Sequence, residues 1–375
     1  MRVHIVDPSA FTPPYDHALA AALARAGADV ELVTSPFAYG AAPAADGYVR
    51  RELFYRRLPG APGSALRRAA KLAVHVPAML AYRRAAHDAD IVHFQWLDVP
   101  WLDVGLLPRR PVVLTAHDLL PREPRPGQTA AQRRLYRAVD AVVVHSEYGR
   151  GALVRGLGLD PTRVHVIPHG AFTHLAALPD AALPAGLQDP GRRVVLFFGL
   201  LRPYKGVETL LRAWRGLEGE GELWIVGRAR MALEPLKALA GPGVRFVTRF
   251  VTDAELAACF RRADAVVLPY TRTERFDQSG VLATALAFGK PAVVSDVGGF
   301  GEVAAGGAAR VVPPGDPVAL HDALAQLLAH PEERARLAAG ARAAAAGPYS
   351  WQTAAARTLE LYAELAASRA DFQRA

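Results

Sequence analysis

Residues 264–302 read DAVVLPYTRTERFDQSGVLATALAFGKPAVVSDVGGFGE, and the reading of this stretch decides the fold. Ala265 to Leu268 is an apolar run of strand length, closed by Pro269. A polar loop follows, with Arg272, Glu274, Arg275, Asp277 and Gln278 inside seven residues. Ser279 and Gly280 then stand where a helix can begin, and Val281, Leu282, Leu286 and Phe288 are spaced for one buried face. Gly289 ends that helix, Ala292 to Ser295 reads as a second buried strand, and Asp296, Gly298 and Gly299 form a turn beyond it. Strand, polar loop, helix, strand is a parallel α/β unit. Its loops fall at the carboxyl ends of strands, where open α/β sheets bind ligands. The free N–H groups behind Ser279 and Gly280 suit an anion such as a phosphate. The same order also fits a plain βαβ unit with ordinary loops.

Working outward, 375 residues are too many for one ordinary domain. Half are hydrophobic and 21% are charged, enough for large buried sheets. The single cysteine, Cys259, rules out a disulfide framework or a cysteine-based zinc site and reads as a small core residue. No HExxH motif is present, and no metal site is expected. The start, MRVHIVDPSA, enters a strand at once without a secretory pattern, and no run of about 18 apolar residues occurs. A cytoplasmic protein is expected. The net charge of +8 is dispersed and lacks interleaved aromatics, which argues against a nucleic-acid binder.

Val3 to Val6, a helix from Tyr15 to about Arg25 closed by Gly27, and Val30 to Val33 make a first βαβ unit. No glycine precedes Gly27, so the GxGxxG of a nicotinamide site is missing. Residues 50–84 hold nine cations against one acid, interleaved with Leu66, Leu72, Val74, Val76, Met79 and Leu80. They read either as a surface helix packed on the sheet or as a basic amphipathic helix for an anionic membrane. Pro59, Gly60, Pro62 and Gly63 interrupt the segment. Ile91 to Phe94, Val112 to Thr115, Ala141 to Val144 and Val164 to Ile167 are further strands. Each ends at or beside a histidine: His93 with Gln95 and Trp96, His117 with Asp118, His145 before the helix cap Ser146, and His169. Singly these are ordinary structural histidines; on one sheet edge they suggest a polar wall. Residues 175–192 are Pro- and Ala-rich without period and read as a linker. A second α/β set runs from Val194, with strands at Val194 to Phe198, Leu223 to Val226 and Val244 to Val247, and a helix capped by Asp253. Two Ala-rich helices fill 316–346, and a last helix starts at Trp351.

VVLFFGLLRPYKGVETLLRAW (194–214), FVTDAELAACFRRADAVVLPY (250–270) and DQSGVLATALAFGKPAVVSDVGGFGEV (277–303) carry a resemblance in order and spacing. VVVHSEYGRGAL (142–153), VIPHG (166–170) and YSWQTAAARTLELY (349–362) extend it over nearly the whole chain. The sequence resembles family-four retaining glycosyltransferases. That resemblance implies a GT-B architecture, with two Rossmann-like doubly wound domains facing a cleft. The expected parts are an acceptor-side domain at 1–180, a nucleotide-sugar-binding domain at 190–349, and a helix at 350–375 crossing back to the first. It implies a hexose moved from a nucleotide-diphosphate sugar to a hydroxyl acceptor (a sugar, glycolipid or small metabolite), with no metal and no resident cofactor. Without a metal, the leaving diphosphate needs cations and helix starts.

Arg202 and Lys205 match the pair that serves the diphosphate in the family, and His117 joins them as a catalytic candidate. The donor-binding set implied is Ser279, Gly280, Val281, Thr284, Asp277, Glu274, Gly298, Gly299 and Glu302. The acceptor-side set is Tyr15, Asp16, His93, Asp118, His145 and His169. Two departures stand out. The common pattern places acids where Phe276 and Thr284 stand, leaving Glu274 or Asp277 to substitute for the first, and the frequent Arg after the first loop glycine is Leu200. A nucleotide-sugar epimerase of the same fold, or a non-catalytic nucleotide-sugar binder, remains an alternative. Peripheral contact of 50–84 with an anionic membrane suits a lipid-linked acceptor.

Overall fold

A computed structural model describes the chain except for residues 38–41, 62, 122–125 and 375, with backbone alone for 370–374. Contacts divide it into two units. The first is 1–170 with the strip 275–277 and the helix from Trp351; the second is 171–274 with 278–350. The first unit thus closes at Gly170, before the expected boundary at 180. Residues 171–180 pack with the second unit.

The first unit runs β1 (Arg2–Asp7), α1 (Pro13–Arg25), β2 (Asp29–Thr34), β3 (Val49–Glu52), α2 (Ala65–Ala85), β4 (Ile91–Phe94), α3 (Pro100–Leu106), β5 (Val112–Thr115), α4 (Gln128–Ala138), β6 (Ala141–Val144), α5 (Glu147–Gly151) and β7 (Val164–Val166). Its strands form one parallel sheet in the order β3-β2-β1-β4-β5-β6-β7. β4, β5 and β6 are buried along their whole length, as strands of a parallel sheet covered on both faces must be. Val92, Phe94, Leu114, Val142 and Val144 share one buried cluster with Met79 and Tyr82 of α2 and with Phe54. Each such side chain contributes about 1.5–3 kcal/mol on burial.

Residues 50–84 are not one amphipathic helix. Arg50 and Arg51 lie on edge strand β3 and pair with Glu52 and Glu31. α2 begins only at Ala65 behind the Ser64 cap, because Gly60 and Gly63 both need positive φ before it; Pro62 lies outside the described residues. α2 buries His75, Met79 and Tyr82 and leaves Leu66 and Leu72 59% and 53% exposed.

The second unit runs α6 (Thr173–Ala176), β8 (Arg193–Phe198), α7 (Val207–Trp214), β9 (Gly221–Val226), α8 (Glu234–Leu239), β10 (Val244–Val247), α9 (Asp253–Arg262), β11 (Ala265–Leu268), α10 (Gly280–Ala287), β12 (Ala292–Ser295), α11 (Phe300–Ala305), β13 (Ala309–Val312), α12 (Pro317–Ala329) and α13 (Pro331–Ala346). The sheet is parallel, in the order β10-β9-β8-β11-β12-β13. Its core joins Phe197, Ile225, Val267 and Val293 to Leu210, Leu211 and Trp214 of α7. Cys259 is fully buried on α9, and burial pushes its thiol up to about 12. Asp253 does not cap α9. Thr252 does, in a reciprocal box: its hydroxyl accepts the Glu255 N–H and Glu255 accepts the Thr252 N–H.

The last helix, α14 (Trp351–Arg374), returns the chain to the first unit, against α1. The Trp351 ring lies against Gly170, where a Cβ would fall 2.4 Å from Cδ2, so only glycine fits there. Tyr362 is fully buried with its hydroxyl 2.6 Å from His93 Nδ1.

Candidate functional site

In the first unit the carboxyl ends of β1, β4, β5, β6 and β7 bring polar groups together. Asp7 ends β1 and accepts backbone N–H groups from Ser9, Phe11 and Thr12, which shapes the turn into α1. Asp16, in the first turn of α1, is bridged by Thr12 and buried beside Asp7. Burial raises both carboxyls: Asp7 adds to the rise at Asp16, which lies well above the usual range, while at Asp7 the hydrogen bond with Asp16 opposes the rise and the charge of Asp98 adds to it. Tyr15 is buried with its ring edge-on to His117, His169 and Trp351 at 4.6, 4.9 and 5.0 Å.

His117, His145 and His169 share this aromatic nest. Burial pushes His145 down to about 4 and His169 to about 3, and with the adjacent imidazoles it pushes His117 well below the ordinary value. All three rings are therefore neutral at pH 7. His145 Nδ1 lies 2.9 Å from Ile167 O, and His145 Nε2 is 3.4 Å from His117 Nδ1. His93 stands apart from this nest of rings, held between Thr115 Oγ1 at 2.7 Å and Tyr362 Oη at 2.6 Å, and burial lowers it to about 3. It does not line the neighbouring cavity.

That cavity, about 210 Å³, opens at the ends of β4 and β5. Gln95, Trp96, Asp98, His117, Asp118 and Tyr136 are among its walls. Trp96 stacks on His117 at 5.1 Å and donates its indole N–H to Thr12. Lys71 of α2 pairs with Asp98 at 2.8 Å. Asp118 also makes an antiparallel bridge to Phe276, in the strip 275–277. Asp277 of that strip is completely buried, and its carboxylate accepts the His145 N–H at 2.6 Å and the Ser146 hydroxyl. It sits so close to Gly149 that a Cβ there would come within 2.7 Å of Oδ1. The sequence marked Asp277 as a donor ligand; the structure places it over the start of α5.

The second unit gathers the other set. Lys205 is 7% exposed, its Nζ 4.9 Å from the Tyr270 ring centroid. The Tyr270 hydroxyl meets Ser279 Oγ at 3.2 Å, and Ser279 caps α10 by accepting the Val281 N–H. Gly199, at the end of β8, has φ +109, and a Cβ there would lie 3.0 Å from Lys205 Nζ and 3.3 Å from Val281 Cγ2. Hence the lysine ammonium, the β8 loop and the first turn of α10 converge. Gly206 has φ +69, and a Cβ would strike Pro269 O at 1.7 Å, which forces glycine where the Lys205 loop turns into α7. Arg202 is half-buried at the entry of the same turn. Gly280 opens α10, and Thr284, one turn on, is buried with its hydroxyl on Gly280 O at 2.7 Å. Gly298 has φ +56, Gly299 O takes the Gln278 amide at 3.4 Å, and Glu302 is exposed in the first turn of α11. Glu274 is exposed on its loop. Among the described residues, no three His, Cys, Asp or Glu side chains gather as metal ligands.

Sequence reasoning missed Asp7, Tyr270, Trp351 and Gly199 as parts of these sets. Gln95 and Trp96 were visible as polar and aromatic residues directly after a strand, but nothing in the sequence showed that they wall a cavity.

Two doubly wound parallel sheets on one chain match solved structures of the GT-B fold. Sucrose-phosphate synthase from Thermosynechococcus elongatus superposes with a TM-score of 0.73 at 20% identity, over 98% of this chain and 100% of that one. Anabaena HepE in complex with UDP-glucose gives 0.70 at 19% identity, over 97% and 100%. Residues 15–174 match the family described as Glycosyltransferase Family 4, and residues 192–330 match Glycosyl transferases group 1. A D-inositol 3-phosphate glycosyltransferase of Xylanimonas cellulosilytica is 32% identical, covering 92% of this chain and 89% of its own length. A phosphatidyl-myo-inositol mannosyltransferase of Mycobacterium leprae is 31% identical over 76% of each. The protein is a GT-B glycosyltransferase. It belongs to glycosyltransferase family 4.

Proposed function

We propose that the protein is a retaining glycosyltransferase that moves a hexose from a nucleotide-diphosphate sugar to a hydroxyl acceptor without a metal. The observation that carries this reading is the convergence of the Lys205 ammonium with the start of α10 and the glycine loop after β8. A departing diphosphate gathers negative charge while the sugar becomes cationic. A fixed ammonium and the start of a helix, preorganised in protein, stabilise the former. Lys205 and Arg202 act on the diphosphate at the start of α10, where Gly280 stands; the Ser279 and Val281 N–H groups are held by Gln278 Oε1 and Ser279 Oγ and would have to exchange those partners for it. Thr284, Glu274, Gly298, Gly299 and Glu302 complete the donor set, while Asp277 is buried against His145 and Ser146 and is not part of it. In the first unit, the cavity beside His117 receives the acceptor, with Tyr15, Asp16, Asp118, His145 and His169 building its wall and support. HepE holds UDP-glucose, and the bacterial relatives named above act on inositol-containing acceptors, which supports a nucleotide-sugar donor and a hydroxyl acceptor here.

Melting shifts across a panel of nucleotide sugars identify the donor, since a ligand raises stability by mass action. Turnover of that donor with and without acceptor then decides. Acceptor-dependent sugar transfer supports the reading; epimerised donor, or binding without turnover, overturns it.

A peripheral membrane reading has one observation in its favour. α2 leaves Leu66, Leu72, Val74 and Leu80 exposed among Arg67, Arg68 and Arg84. Sedimentation with anionic and neutral vesicles at low and high salt tests it, and equal negligible binding to both removes it.

A further inference from the structure

The polar groups described above gather at the carboxyl ends of the first unit's strands. A second cavity, about 330 Å³ and larger than the one beside His117, lies near the amino ends of β6 and β7. Its floor is apolar: Val142, Leu159 and Val164 are buried, and the buried ring of Tyr136 closes one side. Its rim is cationic. Arg137 and Arg163 line it, and Arg133 stands one turn before Arg137 on α4. Gly158, another wall residue, has φ +62. A Cβ there would lie 3.4 Å from the Arg133 guanidinium and 3.8 Å from that of Arg137, so both cations reach the turn that closes the cavity.

These charges are not spent on carboxylates. Arg137 donates to Gly158 O at 3.4 Å. Arg163 donates to Arg137 O at 3.2 Å, to Asp140 O at 3.3 Å and to Val139 O. Carbonyl acceptors fix a guanidinium in place and leave its charge standing. Among the described residues none of the three arginines forms an ion pair, and Arg133 has no hydrogen bond either. The carboxylate in the wall, Asp160, accepts the Thr162 N–H at 2.9 Å and the Thr162 hydroxyl at 2.7 Å, and offsets one cation of the three. Like charges at i and i+4 on one helix face repel. An anion set between Arg133 and Arg137 turns that repulsion into binding.

We propose that this cavity is an effector site for a small organic anion with an apolar body. Arg133 and Arg137 hold its phosphate or carboxylate, which a guanidinium grips through paired N–H donors. The body lies on Val142, Leu159 and Val164 beside the Tyr136 ring. That ring also borders the cavity beside His117, and its hydroxyl donates to Asp118 O at 3.2 Å and to Leu119 O at 3.0 Å. In a close-packed interior, an occupant pressed on the ring bears on the turn that carries Asp118. The site shares no residue with the donor or acceptor sets, so it stands or falls apart from the transfer reaction.

The test is an NMR titration of the full chain with labelled Val and Leu methyl groups. The probes are phenyl phosphate and benzoate, with benzyl alcohol as the neutral arm and inorganic phosphate as the bare anion. At least one aromatic anion should shift the methyls of Val142, Leu159 and Val164 and bind about tenfold more tightly than benzyl alcohol or inorganic phosphate. The tighter of the two names the charged group. Arg133→Glu changes an exposed side chain with no structural partner. It should weaken the anion at least about tenfold, the worth of one charge-assisted hydrogen bond, and leave benzyl alcohol unchanged. The Leu119 methyls should respond to the anion in wild type and stay still in Tyr136→Phe, which still binds it. No shift at the three floor residues with either anion, equal affinity for benzyl alcohol, or full affinity in Arg133→Glu each overturns the assignment. A Leu119 signal that ignores the anion in wild type, or still follows it in Tyr136→Phe, overturns it too.

Discussion

Replacing His93 by Gln should flatten the acid sensitivity of the first unit by a calculable amount. The ring is fully enclosed between Thr115 and Tyr362, and burial lowers its pKa to about 3, against about 6.5 in an unfolded chain. The sign follows directly. Below about 6.5 the unfolded chain takes a proton that the native state refuses, so His93 contributes its full stability above that pH. The contribution is lost as the pH falls toward 3. Between pH 7 and pH 5 the loss is about 2 kcal/mol, at 1.36 kcal/mol per pH unit. The Asp7–Asp16 pair works the other way, since its raised carboxyls favour the native state on acidification. Comparing wild type with His93→Gln cancels that contribution, because both chains carry the pair. Gln keeps one donor and one acceptor for Thr115 and Tyr362. Urea unfolding at the two pH values, read by amide exchange in β4 and β5, gives the difference. Wild type should lose about 2 kcal/mol relative to the variant between pH 7 and pH 5. A wild type–variant difference that stays constant within about 0.5 kcal/mol would refute the argument.

Other outcomes follow from the same structure. Lys205→Ala should slow turnover about 100-fold, equivalent to ~3 kcal/mol of transition-state stabilisation, with a cooperative melt checking that the variant still folds; Arg202→Ala should act in the same direction. Asp277→Ala strands the buried His145 N–H and Ser146 hydroxyl and should cost about 2–4 kcal/mol in urea titrations, with Asp277→Asn recovering part. Activity should survive excess EDTA, and loss restored by magnesium or manganese would contradict the metal-free reading. Deleting residues 350–375 removes Trp351 and Tyr362 from their partners Gly170 and His93 and should speed amide exchange across residues 91–167; unchanged exchange there would refute the coupling.

Much of this fold was legible because its central strands are continuous apolar runs. Ile91–Phe94, Val112–Thr115, Ala141–Val144 and Ala265–Leu268 fall at the expected residues, since strands buried on both faces leave no polar alternation to misread. Ser146 and Ser279 showed their capping roles for the same local reason. What stayed hidden depends on distance in the chain. Edge strand β3 has the pattern VRRE, with no apolar run, and exists because β2 pairs with it. The buried position of Asp277 depends on Ser146 and His145, more than 130 residues away. Gln95 looks like any polar residue after a strand until the fold brings its amide within 3.1 Å of His117, 22 residues on.

The central claim is transfer of the hexose with retention, driven by the Lys205 and α10 diphosphate site. Proton NMR of the product, taken early in the reaction from an α-linked nucleotide sugar, tests it most directly. The account predicts an α-linked product that requires acceptor and forms about 100-fold more slowly with Lys205→Ala. A β-linked first product, or wild-type rates in that variant, would contradict it.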